Sequence, residues 1–490
     1  MAKYWYVMLT AGLLGAACGS PADSVKEEPR VAPTAAPGKR KASPQSKAQS
    51  EDESTAAHVK NETQKNEKGF SKRPNVVVVL LDTLRPDYLG FMGNAYETAP
   101  FLAELAAKSA VFEKALSTSS WTAPSVASLF TGVYPPQHTV VQGFRAHRGM
   151  IAKMKQAGDA ELIVNHIPSD LMTLPEMFEK VGYRTFGLTA NINIGKEIGF
   201  SRGFERFEKH VKAPAENLYD ILVGWREDIV QQLPFFLYLH FNDPHTPYHQ
   251  RMPYFKPAES RKEDTAARYR SEIGYVDQIL RKAHHLPGLS ENTVWVFVSD
   301  HGEEFWDHGS TEHGPTLYGE LQHVLMMIHG PSQGIRPGRL KENTSLIDIL
   351  PTLAALIDAP LEKAREGVSL LPLLRGVDDG HPITKRLKDR CLFGHRMYSS
   401  RRKLAVWSVT CGRFKLIDWW GDRRKLFDHS TDRGEYYDLV PKRPKTAEEL
   451  YSRLDRFRAR MDSGEATTEQ NEIALDKTLL EKLRRMGYVE

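Results

Sequence analysis

The sequence predicts an α/β fold, a doubly wound and mostly parallel sheet flanked by helices. Three observations carry that prediction. Mostly apolar runs without regular polar alternation recur at 75–81, 184–190, 235–241, 293–299 and 324–329, the first of them rich in β-branched valine. A strand without polar alternation is one buried on both faces, as in parallel sheets. Helical periodicity fills intervals between these runs, at 99–111, 174–181 and 266–284, and strand alternating with helix over this length describes a sheet covered on both sides.

Each part of the chain follows from local composition. Met1 to Ala17 carries one early cation, Lys3, then an apolar run and small residues, the shape of an export signal and short for a membrane span. Leu14-Gly15-Ala16-Ala17-Cys18 resembles a bacterial lipobox with its leucine displaced by one position, which makes Cys18 a candidate lipidation site; the alternative is an ordinary signal peptide. Between Val25 and Phe70 the large apolar residues are Val25, Val31, Val59 and Phe70, too few to offset the entropy of ordering the segment. The first buried strand then starts after Pro74. Beyond about Gly376 the pattern changes, and 391–393, 402–409 and 414–419 read as strands of a smaller C-terminal α+β subdomain. A basic helix at 478–488 would close it, with Leu479, Leu480, Leu483 and Met486 on one face. The expected organisation is therefore 1–18 signal, 19–73 disordered linker, 74–376 main α/β domain and 377–490 C-terminal subdomain.

Composition narrows the function. Of 490 residues 41% are hydrophobic, and 66 basic against 62 acidic residues leave +4, which gives no support to nucleic-acid binding by bulk charge. Three cysteines exclude a disulfide-dense scaffold. The mean hydropathy of −0.46 excludes a polytopic membrane protein. Cys391 and Cys411 lie 20 residues apart, and the sequence leaves open a bridge or two free thiols.

Reactive groups in such sheets gather beyond the carboxyl ends of the strands. Asp82 ends the first strand, as a metal ligand or a helix cap. Asp300-His301-Gly302 follows another strand and offers one oxygen and one nitrogen ligand, with Gly302 allowing a sharp turn. Thr122-Ala123-Pro124-Ser125 reads as a helix start with Thr122 at the N-cap and Gly132 past the end. A hydroxyl there lies in a field that favours anions, and a metal would activate it further. Each of these, alone, has an ordinary structural explanation.

Together, and in this order, they resemble the sulfatase family of the alkaline-phosphatase superfamily. The resemblance spans nearly all of 74–490 and includes His240, Asp243-Pro244-His245-Thr246-Pro247-Tyr248, His308-Gly309, His313-Gly314, Asp348-Ile349-Leu350-Pro351-Thr352 and Asp432-Arg433-Gly434-Glu435. It implies the family's fold, a catalytic Thr122 assisted by His240, His245 and His313, and a metal held by Asp82, Asp300, His301 and Thr122. One or two divalent ions are expected, zinc, manganese or calcium. His308 is expected behind the site; Asp243 either orients a histidine or forms a turn before Pro244. The family's cysteine or serine, the precursor of formylglycine, is Thr122 here, and Val126, Pro315 and Thr83 replace an arginine, a basic residue and a second aspartate. Threonine at this position is similar to phosphoryl-transferring relatives. The implied function is metal-dependent hydrolysis of a sulfuric or phosphoric ester through a covalent Thr122 intermediate. The substrate would be an anionic ester of a glycan, lipid or small molecule, with no nucleic acid involved and membrane contact through the lipid anchor only. An envelope transferase of phospho-headgroups and a non-catalytic anion-binding protein are the alternatives. The transferases usually carry several membrane helices that this sequence lacks. The expected location is the cell envelope.

Overall fold

Eight strands form the central sheet: β1 (Asn75–Leu81), β2 (Ala110–Phe112), β3 (Arg184–Thr189), β4 (Arg206–Lys209), β5 (Phe235–Phe241), β6 (Thr293–Ser299), β7 (Met326–His329) and β8 (Gly338–Leu340). Their order is β8-β2-β7-β6-β1-β5-β3-β4 in a computed structural model, which describes residues 73–141, 163–361, 365–397, 405–419, 423–463, 472–474 and 481. β1 runs parallel to β5 on one side and β6 on the other, whereas β7 is antiparallel to both of its neighbours.

The unbroken apolar run of β1 is explained by two cores. Val76, Val78 and Leu80 face a layer containing α2 (Thr122–Thr131), α3 (Leu174–Lys180) and α6 (Ile349–Leu356). Val77, Val79 and Leu81 face the other, built from α1 (Pro100–Ala106), α4 (Ala215–Gln231) and α5 (Arg261–His284). Each of these six side chains is wholly buried, worth about 1.5–3 kcal/mol apiece in transfer energy.

Some boundaries differ from the sequence expectation. The helix expected over 99–111 stops at Ala106, where the Ser109 hydroxyl donates to the Leu105 carbonyl, and Ala110–Phe112 becomes β2 between β7 and β8. α5 starts five residues before the expected 266. Ser260 caps it, accepting from the Glu263 amide at 3.2 Å. The run at 324–329 forms a strand only from Met326, because the Leu325 amide donates instead to the Ser299 hydroxyl.

The second sheet is antiparallel, in the order β9 (Cys391–Met397), β10 (Ala405–Cys411), β11 (Phe414–Trp419) and β12 (Arg423–Asp428). Leu450 and Leu454 of α7 (Pro444–Asp462) pack on its Val409, Leu416 and Leu426. Register sets Cys391 directly opposite Cys411, and the two are bridged. Cys18, the linker through residue 72 and, apart from residue 481, the helix expected at 478–488 lie outside the described residues. No described helix is long and apolar enough to cross a membrane.

Candidate active site

Parallel pairing of β1 with β5 and β6 brings three strand ends to one edge. Leu80 is in register with His240, and Leu81 with Ser299. Asp82, His240, Asp300 and His301 therefore meet, all with no exposed surface. Thr122, also buried, contributes from the start of α2. Its role in the helix differs from expectation: the extended Trp121 occupies the N-cap, and Thr122 is the first helical residue. Its side chain is thus turned to the site, with Oγ1 3.4 Å from His301 Nε2. Gly132 ends the helix in the left-handed region as expected (φ 69°).

The polar groups here are not closed on one another. His301 Nδ1 donates to the Gly302 carbonyl at 2.8 Å, so Nε2 presents a lone pair. That Nε2 lies 3.3 Å from Asp300 Oδ2 and 3.7 Å from Asp82 Oδ1. Both of these carboxylate oxygens are buried and have no hydrogen-bond partner among the described residues. The remaining oxygens are used: Asp300 Oδ1 accepts from the amides of Thr83 (3.1 Å) and His301 (2.9 Å), and Asp82 Oδ2 lies 3.3 Å from His240 Nε2. His240 is braced on its other nitrogen by the Tyr238 hydroxyl at 3.1 Å.

Electrostatics points the same way. Burial, reinforced by the charge of Asp82, pushes Asp300 up to about 7. Burial also acts upward on Asp82, but its hydrogen bond to His240 and the charges of His245, His240 and His301 outweigh it and hold the carboxyl well below its usual range. Burial, its largest cause, pulls His301 down and favours the neutral ring. Two inward carboxylate oxygens beside a neutral imidazole nitrogen are costly without a cation between them. Asp82, His240 and Asp300 each offer a ligand atom within 4.8 Å of the others. This oxygen and nitrogen donor set fits a borderline divalent ion.

Gly302 has a packing reason as well. A Cβ there would stand 1.9 Å from the Glu320 backbone oxygen.

Two further histidines stand beside these candidate ligands. His245 Nδ1 donates to the Thr246 carbonyl at 2.7 Å, and its ring centroid is 4.9 Å from that of His313. His313 is in turn 4.5 Å from His301, and its Nδ1 is 2.9 Å from Glu303 Oε1. The other oxygen of Glu303 accepts from the Tyr248 hydroxyl at 2.7 Å. Burial pushes Glu303 up to about 7. His308 is engaged elsewhere, with Glu320 at 2.8 Å and its ring stacked on Tyr318. Asp243 accepts from the Ala215 amide at the start of α4.

Sequence reasoning assigned no role to three of these partners. Asn191 donates to Asp82 Oδ2 and, at 3.0 Å, to Asn242 Oδ1. Its signal was available, since it follows β3 at the same sheet edge. Glu303, next to Gly302, and Arg396 are the others. The Arg396 guanidinium lies 5.2 Å from the Trp121 ring centroid, and its Nε donates to the Gly314 carbonyl at 2.5 Å. Arg396, on β9, thus contacts the chain neighbours of Thr122 and His313, 82 residues beyond Gly314 in sequence.

The family model described as "Sulfatase" matches residues 74–359. The Delta 4,5-hexuronate-2-O-sulfatase of Bacteroides thetaiotaomicron is 24% identical, covering 79% of this chain and 89% of that protein. The N-acetylgalactosamine-6-sulfatase of Canis lupus familiaris is 23% identical over 74% of this chain and 75% of its own length. In fold, the chain is similar to the phosphonate monoester hydrolase of Agrobacterium radiobacter, with a TM-score of 0.65 at 17% identity, covering 82% of this chain and all of that one (100%).

Proposed function

The chain belongs to the sulfatase family, and from that premise we propose that it hydrolyses a sulfuric ester of a sugar with Thr122 as the attacking group. The sugar is suggested by the hexuronate and N-acetylgalactosamine named for two relatives. One observation carries the assignment of Thr122: its buried hydroxyl stands 3.4 Å from His301 Nε2, beside two carboxylate oxygens without partners.

Asp82, Asp300 and His301 would hold a divalent ion, with His240 as a fourth candidate ligand or as the brace of Asp82. When bound, the ion would acidify the Thr122 hydroxyl and draw charge from the ester oxygens. Thr122 Oγ forms the new bond to sulfur as the bond from sulfur to the sugar oxygen breaks. The proton lost by Thr122 is matched by one gained by the leaving oxygen. His313 is the better donor of that proton, because Glu303 at its Nδ1 orients the ring and offsets an imidazolium charge. His245, with its Nδ1 tied to the Thr246 carbonyl, is suited to binding an ester oxygen once protonated. Water then displaces the group from Thr122 and restores the hydroxyl.

A phosphoric ester is the second reading, favoured by Thr122 itself. Threonine cannot be oxidised to formylglycine, and a phosphothreonine ester is readily displaced at a metal. Mass spectrometry of protein quenched during turnover separates the two, since sulfate and phosphate adducts on Thr122 differ in exact mass. Thr122→Ala is expected to lower kcat by at least about 10⁴-fold; unchanged turnover would remove the covalent step.

The proposal includes an envelope location through Cys18. Cys18→Ser should move the protein from the membrane fraction to the soluble one, and an unchanged distribution would count against the anchor.

A further inference from the structure

A cavity of about 320 Å³ opens beside the reaction centre and shares Asn191 and His245 with it. Its size is at the lower end for ligand pockets, about 300–1,000 Å³, and suits a single small ring. Asp243 lies in its wall with a side chain only 1% exposed. One carboxylate oxygen of Asp243 is fully used: Oδ1 accepts from the Ala215 amide at 3.0 Å and from Arg251 Nη2 at 3.4 Å. Capping α4 accounts for that oxygen. It does not account for Oδ2, which is buried and has no partner. The neighbouring Glu272 shows the contrast. It too is buried in the wall, yet both of its oxygens are taken, by the His249 amide at 2.7 Å and by Arg251 Nε at 2.6 Å.

We propose that this cavity binds the alcohol portion of the ester and that Asp243 is a specificity-determining residue, its Oδ2 accepting a hydrogen bond from a ring hydroxyl. The inference rests on the ester-hydrolase reading for its orientation toward Thr122, and it applies equally to a sulfuric or a phosphoric ester. A polyol is favoured over a cation. Among the described residues the wall includes Lys212 and Arg251 and holds no Trp, Tyr or Phe to cage a quaternary ammonium. A sugar ring instead supplies the hydroxyl donor that Asp243 Oδ2 lacks. A buried acceptor left unpaired discriminates strongly against a ligand that lacks the matching hydroxyl.

The test uses the full chain with glucose, galactose and N-acetylglucosamine 6-sulfates and 6-phosphates, against 4-nitrophenyl sulfate and phosphate and against choline sulfate. Ligand-observed NMR reads binding, and kcat/KM reads turnover. Asp243→Asn keeps an acceptor for the α4 cap; Ala213→Leu narrows the cavity without touching Asp243's bonds and guards against a folding defect in the first variant. Both are expected to weaken a sugar ester about ten- to a hundred-fold more than the nitrophenyl ester of the same acid, chiefly in KM. Equal losses on sugar and nitrophenyl esters would reduce Asp243 to a helix cap and overturn the proposal. So would no loss at all, preference for choline sulfate, or failure of every sugar ester to bind while nitrophenyl esters turn over. Sugar binding that depends on Asp243 without any turnover would support the subsite and set aside the hydrolase reading instead.

Discussion

Two clusters of buried charge in this molecule have opposite designs. At the end of the central sheet, Asp82 and Asp300 each keep one oxygen unpartnered. Beside the antiparallel sheet, Lys415 and Glu435 are equally buried, but every group is answered. Lys415 Nζ lies 2.9 and 3.2 Å from the two Glu435 oxygens, His429 Nε2 is 2.6 Å from Oε1, and the Gly319 amide donates to Oε2 at 3.0 Å. Burial alone therefore does not distinguish a site from a scaffold. The distinction is whether the desolvated charges are closed by the protein or left for something else to close.

The comparison can be broken from its closed side first. Lys415→Met would strand Glu435 and should cost about 3–5 kcal/mol of stability, read by denaturant unfolding. A loss under 1 kcal/mol would mean that the cluster contributes little.

Acid gives the next largest effect. Burial works to raise Glu435, but Lys415 and the hydrogen bond from His429 dominate and bring it down from 4.5 to about 2. A depressed carboxyl contributes stability that is present above its unfolded value and lost as pH falls from about 4.5 toward 2. The loss should approach 3 kcal/mol, and Glu435→Gln should flatten that part of the stability curve.

The open cluster should behave in reverse. Asp300 is raised, so its ionisation costs stability as pH rises from 3.8 through about 7. In protein stripped with a chelator, Asp300→Asn is expected to gain on the order of 1 kcal/mol at pH 8. Added zinc or manganese is expected to raise the Tm of the parent protein and not that of the variant. A variant less stable than the stripped parent would show that Asp300 serves the fold.

Much of this was legible from local sequence. β5 and β6 fall on the apolar runs as expected, because a strand buried on both faces needs no partner to reveal it. Asp82, Asp300 and His301 were legible because strand ends share an edge in a parallel sheet. Direction was not: the run at 324–329 looks like its neighbours, yet β7 is antiparallel. Thr122 was misplaced by one position, since Trp121 gives no capping signal and takes the N-cap through extended backbone alone. Glu303 is held by Tyr248, 55 residues before it, as well as by the nearby His313, and Arg396 meets Gly314 across 82 residues; no local pattern encodes the two longer distances. The Cys391–Cys411 bridge was open for the same reason, until register set the two side by side.

Gly302 has a mechanical consequence. With the Glu320 carbonyl where a side chain would begin, the segment carrying Asp300 and His301 rests against a hard stop. Glu320 also grips His308, and His308 is tied to the Glu435 carbonyl at 3.2 Å. The position of the Asp300–His301 segment is thus set partly by a bearing surface that runs through Glu320 and His308 to the Lys415–Glu435 cluster.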